Sequence, residues 1–494
     1  MFPADLTLSL YTAEQVRRID RTAIDECGIA GFELMRRAAD AVFATLRRRW
    51  PEARRIAVLA GHGNNGGDAF LVGALALRAG FGVDAFAAAH ATSGDAARAR
   101  AAFLEAGGPS PKAYADADFV DADVIVDGLF GTGLARAIEG EAAALIGRVN
   151  ASGRPVLAID IPSGLSADTG MRLGSAVRAQ GTVSLVAWKR GLFTGDAADC
   201  AGEKELAPLD LPARAYEGIA ADATLLGAVS PRLPPRCGNV NKSHFGHVLA
   251  IGGDVGMGGA VRLAGEAALR CGAGLVSVAT RSAHVAALLA ARPELMVRAV
   301  EDTSDLRALL DRATVVAIGP GLGKGEWGAS LWRAAAAAGR PLVVDADALN
   351  LLASEPQTLP NAVLTPHPGE AGRLLGSDAG AVQRDRFAAV RALARRYAAV
   401  TVLKGAGSLV AAPDGRVAVC PWGNAGMASG GMGDVLTGVV AALLAQGLPP
   451  WEAACSAVAV HARAGDLAAG DTPRGLLAGD LFAPLRELVN GSDA

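Results

Sequence analysis

The sequence has few of the features that mark a nucleic-acid-binding or membrane protein. Its 47 basic and 50 acidic residues leave a net charge of −3, and only 5% of the 494 residues are aromatic. A protein that grips nucleic acid through its phosphates needs a basic surface, so this balance argues against such a partner. The most apolar run, residues 435–445, is about half the length that crosses a bilayer, so no membrane partner is predicted.

The sequence also lacks the signs of an exported protein. Its six cysteines are scattered and form no Cys-x-x-Cys pair, which is typical of a reduced protein without disulfides. The first fifteen residues have no basic start followed by an apolar core, so no signal peptide is predicted. We therefore expect a cytoplasmic protein, and 51% hydrophobic residues are enough to build large cores.

Strand-like and helix-like segments alternate in two series, which is typical of α/β domains with parallel sheets. A proline-rich stretch of weak periodicity, residues 208–235, separates the two series. We predict two α/β domains, at residues 1–215 and 225–494. The predicted strands of the first are Arg55–Ala60, Val83–Ala88, Asp123–Asp127, Pro155–Asp160 and Thr182–Ala187, and helices are predicted at Asp68–Gly80 and, in the second, at Asp434–Gln446.

Three glycine-rich loops follow strands of the first series, at Gly61–Asp68, Asp127–Gly133 and Asp160–Gly164. The carboxyl ends of parallel strands meet at one edge of a sheet, so the loops should form one ligand site. A glycine loop that leads into a helix start suits a phosphate. The alternative for the first loop is a tight turn with Asp68 as a helix cap.

Polar side chains in these loops suggest a cation and a proton-transfer group. Asn65, Asp127 and Ser163 offer hard oxygen ligands, which suit K⁺ better than zinc. Asp160 is ionisable and ends a predicted strand, so it is the candidate for proton transfer. Its alternative role is to cap a turn.

The strongest signal in the second series is the segment Asn424–Asp434, which precedes an apolar helix. Gly430, Gly431 and Gly433 allow a ligand to approach the backbone, and the free N–H groups of a helix start can hold a phosphate. Asp434 could accept the proton of an attacking hydroxyl there. The alternative makes Asp434 only a helix cap.

Further loops after strands supply candidate contacts. Lys404–Ser408 could hold nucleotide phosphate and ribose, or could be no more than the glycine turn of a hairpin. His367 lies between two prolines that restrict its backbone, which favours substrate contact over the structural role that is more usual for a single histidine. Gly252–Ala260 and Gly319–Gly323 are two more glycine loops, each weak evidence alone.

The first series resembles the epimerase domain of the bifunctional NAD(P)H-hydrate repair enzymes, which has a Rossmann-like fold. The motifs GHGNNGGDAF, VDGLFGTGL and DIPSGLSADTG carry the resemblance, which covers residues 10–215. It implies K⁺ at Asn65, Asp127 and Ser163 and catalysis by Asp160. Lys189 is a further matching polar position, or else a surface lysine. The implied substrate contacts are Asn64, Asn65, Gly66, Gly67, Asp68, Gly131, Thr132, Gly133, Leu134, Ala135, Arg136, Ala137 and Asp160.

The second series resembles the ADP-dependent dehydratase of the same family, which has a ribokinase-like fold. GPGLG, TPHPGE, LKGAGS and NAGMASGGMGD carry this resemblance over residues 225–490. It implies ADP as co-substrate with Mg²⁺, and Asp434 as the catalytic base. The implied nucleotide contacts are Lys404, Gly405, Ala406, Gly407, Ser408 and Gly433, and the implied contacts to the hydrated nicotinamide are Ala260, Gly321, His367 and Asp434.

Together the resemblances imply one repair enzyme for NADH or NADPH that has gained water, NADHX or NADPHX. The first domain would interconvert the R and S epimers, and the second would dehydrate the S form with ADP, giving AMP and phosphate. The family also implies a homo-oligomer. The alternative is a ribokinase-like vitamin or sugar kinase fused to a non-catalytic nucleotide-binding module.

Overall fold

The computed structural model describes residues 6–88, 93–229 and 231–491. The chain folds into two compact units whose boundary lies between Thr224 and Leu225, inside the proline-rich stretch. The prediction that there is no signal peptide concerned the first fifteen residues. Residues 1–5 of that segment lie outside the described residues. No helix in the described part of the chain is long and apolar enough to cross a membrane.

The N-terminal unit contains a parallel six-stranded sheet in the order β3-β2-β4-β5-β6-β8. Outside this sheet, β1 pairs in parallel with β7 and antiparallel with β9. The strands are β1 (Ser9–Tyr11), β2 (Arg55–Ala60), β3 (Gly82–Ala87), β4 (Val124–Gly128), β5 (Val156–Ile159), β6 (Gly181–Leu185), β7 (Trp188–Lys189), β8 (Glu203–Ala207) and β9 (Ala223–Leu225).

Helices cover both faces of this sheet. Along β2, Ile56 and Val58 join one hydrophobic core while Ala57 and Leu59 join another, as the two-residue period of a strand requires. The result is a three-layer arrangement. Its α-helices are α1 (Ala13–Asp25), α2 (Gly31–Arg49), α3 (Asn64–Arg78), α4 (Gly94–Glu105), α5 (Gly140–Ala151) and α6 (Ala197–Cys200), with 3₁₀ turns at Tyr114–Asp116, Arg190–Phe193 and Ala213–Tyr216.

The C-terminal unit contains a sheet in the order β12-β11-β10-β13-β14-β15-β16-β17-β18. Strands up to β16 pair in parallel, and β17 and β18 complete the sheet as antiparallel neighbours. The strands are β10 (His247–Ile251), β11 (Leu275–Thr280), β12 (Met296–Ala299), β13 (Val315–Ile318), β14 (Leu342–Val344), β15 (Ala362–Leu364), β16 (Val400–Leu403), β17 (Leu409–Ala411) and β18 (Val417–Val419).

A long apolar helix, α15, lies in the core of this unit against α7 and α16. Its residues from Val435 to Leu444 are all buried, which explains the absence of a polar face in its sequence. The α-helices are α7 (Gly258–Arg270), α8 (Val285–Ala291), α9 (Thr303–Arg312), α10 (Glu326–Ala337), α11 (Ala346–Ser354), α12 (Pro368–Leu375), α13 (Ala379–Arg384), α14 (Arg386–Tyr397), α15 (Met432–Ala445), α16 (Pro450–Ala469) and α17 (Phe482–Leu488), with 3₁₀ turns at Lys242–Phe245, Ser282–His284, Ala425–Met427 and Ala478–Leu481.

The structure corrects the predicted starts of the two helices that matter for the sites. Helix α3 begins at Asn64 rather than at Asp68, so the segment Asn64–Gly67 is its first turn and Asp68 is not its cap. Helix α15 begins at Met432 rather than at Asp434. In both cases glycines, which are poor helix formers, hid the first helical turn from a propensity argument.

Candidate active sites

A cavity of about 1000 Å³ lies within the N-terminal unit, at the carboxyl ends of its strands. It brings together residues from all three predicted loops with others from α1 and β7. Gly66, Gly67 and Ala137 are not among its lining residues. The predicted residues that do line it are Asn64, Asn65, Asp68, Gly131, Thr132, Gly133, Leu134, Ala135, Arg136, Asp160 and Lys189.

The glycine loops at this edge are in direct backbone contact. The Gly61 amide donates to the Gly128 carbonyl at 3.0 Å, and a Cβ at Gly61 would lie 1.8 Å from the Leu129 carbonyl oxygen. Only glycine fits there. The close approach leaves the N-terminus of α3, capped by Gly63 without a side-chain hydrogen bond, open to the cavity.

Asp160 and Lys189 form a buried ion pair on the cavity wall. The fully buried Lys189 ammonium contacts Asp160 Oδ1 and also donates to the Leu185 carbonyl at 2.6 Å and to Ser184 Oγ at 3.3 Å. Asp160 has a φ of 69°, a left-handed conformation that is costly for aspartate outside a turn. Lys189 is therefore not a surface lysine, and the surroundings of Asp160 are those of a constrained site residue.

Two more carboxylates face the same cavity. Burial and the charges of Asp160 and Asp20 raise the pKa of Asp68 well above its ordinary value. Burial, opposed by Lys189, raises the pKa of Asp20 to about 6. Sequence reasoning missed Asp20, although its spacing from Val16 and Ile24 puts a carboxylate on the inward stripe of α1.

Of the predicted cation ligands, Asn65 lines the cavity, whereas Asp127 and Ser163 are not among its lining residues. Asp127 is fully buried and accepts hydrogen bonds from Ser163 Oγ at 2.6 Å, from the Ser163 amide at 2.8 Å and from the Leu129 amide at 3.2 Å. Burial raises the pKa of Asp127 to about 6, and no ion pair offsets that cost among the described residues. Among the described residues, Asn65 Nδ2 is buried without a hydrogen-bond partner, so no bond to its nitrogen fixes the orientation of this amide and its oxygen is available to a cation. Three hard oxygen groups, one of them a buried carboxylate without an ion pair among the described residues, fit a K⁺ ion.

In the C-terminal unit, the first turn of α15 carries the main candidate residue. Its cap is Gly431, whose φ of 90° favours glycine, and no side chain bonds to the first free N–H groups. Asp434 is the third helical residue, so the interpretation of Asp434 as the cap is wrong. Burial and the charge of Asp345, opposed by Lys404, raise the pKa of Asp434 to about 7.

Lys404 lies at the mouth of this helix. Its ammonium donates to Asp345 Oδ1 at 2.7 Å and would be 3.1 Å from a Cβ at Gly433. Thr437 Oγ donates to the other oxygen of Asp345 at 2.9 Å. Sequence reasoning gave Asp345 no role, because the segment VVDADALN contains no glycine loop.

His367 caps α12 through its ring. Its Nδ1 accepts a hydrogen bond from the Gly369 amide at 3.0 Å, and the His367 amide donates to Glu370 Oε2 at 2.8 Å. Burial and Lys404 lower the pKa of His367, while burial raises the pKa of Glu370 to about 7. His367 thus shares the electrostatic environment of Lys404.

A buried arginine donates hydrogen bonds to the backbone of the loop Lys404–Ser408. Arg386 lies at the start of α14, is 1% exposed, and donates to the carbonyls of Leu403, Lys404 and Gly407 at 3.3 to 3.5 Å. The Lys404 amide donates to the Pro366 carbonyl at 2.9 Å, which ties the loop to the segment before His367. Arg386 was also missed, since a single arginine at a helix start carries no motif.

The two remaining predicted contacts lie together at α7. A Cβ at Gly321 would be 3.3 Å from the Cβ of Ala260. Leu263, on the next turn of α7, reaches within 2.7 Å of a Cβ at Gly431. Ala260 and Gly321 are thereby linked through α7 to the start of α15.

Comparison with known proteins agrees with this geometry. Residues 248–486 match the family model described as NAD(P)H-hydrate dehydratase, and residues 31–191 match that of the YjeF-related protein N-terminus. The bifunctional NAD(P)H-hydrate repair enzyme Nnr of Coxiella burnetii is 46% identical over 97% of this chain and 99% of its own, and that of Escherichia coli is 44% identical over 99% and 95%. This chain belongs to the family of bifunctional NAD(P)H-hydrate repair enzymes.

The predicted fold is confirmed, with a Rossmann-like α/β unit followed by a ribokinase-like α/β unit. The chain is a two-domain enzyme of this family rather than a kinase fused to a binding module. A solved structure of the ADP/ATP-dependent NAD(P)H-hydrate dehydratase from Bacillus subtilis, co-crystallised with ATP and Mg²⁺, is 30% identical with a TM-score of 0.48. The match covers 53% of this chain and 95% of that one.

Proposed function

We propose that this chain repairs hydrated NADH and NADPH in two steps, epimerisation by residues 1–215 and ADP-dependent dehydration of the S epimer by residues 225–494. The observation that carries the proposal is the start of α15, where free N–H groups, Lys404 and a carboxylate of raised pKa meet. That combination suits the transfer of a phosphoryl group to a hydroxyl.

In the dehydratase unit, Asp434 accepts the proton of the hydroxyl on C6 of the nicotinamide ring. The hydroxyl oxygen attacks the terminal phosphorus of ADP, the bond between that phosphorus and the bridging oxygen breaks, and AMP leaves. Phosphate then departs from C6 as a better leaving group than hydroxide, and loss of a proton from C5 restores the double bond. Lys404 and the first amides of α15 hold the phosphates, with Gly405, Ala406, Gly407, Ser408 and Gly433 as the other nucleotide contacts.

Ala260, Gly321 and His367 complete the proposed nicotinamide site with Asp434. Mg²⁺ would bind together with the nucleotide, and no side chain of this chain is assigned to it. When bound, it neutralises charge on the phosphates. Loss of dehydration on chelation of Mg²⁺, restored by its return, tests this part of the proposal.

In the epimerase unit, Asp160 takes the proton of the C6 hydroxyl while Lys189 holds its carboxylate in place. The C6–N1 bond opens to an aldehyde as Asp68, whose pKa burial raises, gives a proton to N1. Rotation, reclosure on the other face and return of both protons give the opposite epimer. The cavity residues Asn64, Asn65, Gly131–Ala137 and the adjacent Gly66 and Gly67 form the substrate site, with the helix start of α3 at a phosphate.

We assign K⁺ to Asn65, Asp127 and Ser163. When bound, the ion would supply a positive charge beside Asp127, which is buried without a cationic partner among the described residues. Removal of K⁺ should slow epimerisation and leave dehydration of the S epimer unchanged. The cytoplasmic location, the homo-oligomer and the lack of nucleic-acid or membrane partners stay predictions.

The deciding experiment gives the purified full chain a mixture of R and S hydrated NADH with ADP and follows the near-ultraviolet absorbance of NADH. The wild type should restore the whole pool with one AMP per NADH. Asp434→Asn should restore none, whereas Asp160→Asn should restore the S fraction quickly and the rest at the spontaneous rate. A stable phosphorylated product without NADH would contradict the proposal and favour a kinase.

A further inference from the structure

Asp345 has a central place in the C-terminal unit that the proposed reaction has not yet used. It follows the last residue of β14 and is 1% exposed. Its two carboxylate oxygens have different partners, Lys404 Nζ after β16 at 2.7 Å and Thr437 Oγ on α15 at 2.9 Å. A single side chain therefore connects two strand ends with the helix that carries Asp434.

The first consequence concerns the position of Lys404. A lysine side chain has four flexible methylenes and presents a compact charge, so it needs a partner to hold one position. Asp345 holds the ammonium against Gly433, in the first turn of α15, where a Cβ would be 3.1 Å from Nζ. The charge is thereby fixed beside the free amides that receive the phosphate.

The second consequence concerns the charge that Asp434 experiences. Asp345 from β14 disfavours ionisation of Asp434, and Lys404 from β16 favours it. On α12, Glu370 and His367 also experience the charges of Lys404 and Asp345. On α16, His461 bonds to the Met432 carbonyl at 2.9 Å, and burial lowers its pKa to about 4, so it is neutral at pH 7.

We propose that Asp345 is a positioning residue for phosphoryl transfer, which clamps Lys404 at the mouth of α15 and keeps a negative charge beside Asp434. It acts through Lys404 and Asp434, and its two oxygens accept hydrogen bonds from Lys404 and Thr437. This inference rests on the proposed dehydratase function. It adds a requirement that the glycine motifs alone do not contain.

The test substitutes Asp345→Asn in the full chain, which keeps the size of the side chain and an acceptor for Thr437 but removes the charge. The KM for ADP should rise about tenfold, because Lys404 loses a charge-assisted hydrogen bond. The acidic limb of the kcat profile should move down by about one pH unit, because Asp434 loses a like-charged neighbour. The plateau of kcat should fall as the base weakens.

Two control variants separate this role from a structural one. Thr437→Val removes the other hydrogen bond of Asp345 but leaves its charge, so the acidic limb should stay in place. Asp311→Asn changes an exposed aspartate on α9 and should alter neither KM nor the profile. Should Asp345→Asn fail to fold, Lys404→Met is the second test variant. Loss of the cation should move the acidic limb of the remaining kcat to higher pH.

The outcomes are distinct. An Asp345→Asn enzyme with the wild-type pH profile and KM for ADP overturns the inference, and so does one that is only less stable. A Lys404→Met enzyme whose limb stays or moves downward overturns it as well. If the wild type itself shows no ADP-dependent recovery of NADH, the proposed function fails first.

Discussion

The buried pair Lys189–Asp160 permits a quantitative prediction for the N-terminal unit. Replacement of Lys189 by Met keeps most of the hydrocarbon volume but removes the ammonium. The variant leaves the Asp160 carboxylate, whose side chain is 12% exposed, without its cation. It also removes the donor to the Leu185 carbonyl and to Ser184 Oγ.

The expected loss of stability follows from the uncompensated charge. Removal of one partner from a buried ion pair costs about 3–5 kcal/mol, chiefly because the remaining charge stays buried. Asp160 opens onto the cavity, so water can reach it and the lower end, about 3 kcal/mol, applies. Methionine fills the space of the lysine stem, so no large cavity term is added.

Hydrogen exchange of the full-length protein can measure this loss in the N-terminal unit alone. Amides of β4 and β5 lie in the centre of its sheet and should exchange only on large-scale opening. A loss of about 3 kcal/mol corresponds to roughly a hundredfold faster exchange. Amides of α15, in the other unit, provide the internal reference.

Two further variants test whether charge is the cause. Lys112→Met breaks an exposed ion pair with Asp84 in the same unit and should cost less than about 1 kcal/mol. The double variant Asp160→Asn/Lys189→Met removes both charges and should regain most of the lost stability. The reasoning is refuted if the amides of Lys189→Met exchange as slowly as those of the wild type. It is also refuted if the double variant is no more stable than Lys189→Met.

Three more predictions follow from single residues. Gly61→Ala should unfold the N-terminal unit, because its Cβ would lie 1.8 Å from the Leu129 carbonyl oxygen. Gly63→Ala should not, because a Cβ at Gly63 would meet open space. Thermal unfolding and hydrogen exchange compare the two variants, and equal stability would contradict this prediction. Dehydration turnover should rise with pH through about 7, since Asp434 must lose its proton to act as a base, and a flat profile across neutral pH argues against that role. Asp127→Asn should raise the K⁺ concentration needed for half-maximal epimerisation, and an unchanged K⁺ dependence would remove Asp127 from the cation site.

Local patterns were sufficient for most of the backbone. The strand Arg55–Ala60 was predicted with its observed bounds, since a short, buried apolar run is a strong signal. By contrast, β12 was missed, because this short edge strand is half exposed and contains Arg298.

The candidate sites were predictable where glycine motifs follow strands and not elsewhere. The loops around Asp160 and Asp434 carry such motifs. Asp20 and Asp345 do not, and their roles depend on elements far away in the sequence. Asp345 meets Lys404 across 59 residues because β14 and β16 lie in one parallel sheet with only β15 between them.

The amino-acid sequence by itself determined the two α/β series, the glycine-rich loops at their strand ends and the family to which they belong. These features are local, since they depend on periodicity and on residues that suit a turn or a phosphate. Tertiary structure alone decided that Lys189 is buried against Asp160 and that Asp434 lies within the first turn of α15. Burial and the pairing of charges depend on which strands and helices become neighbours, and that information is spread over the whole chain.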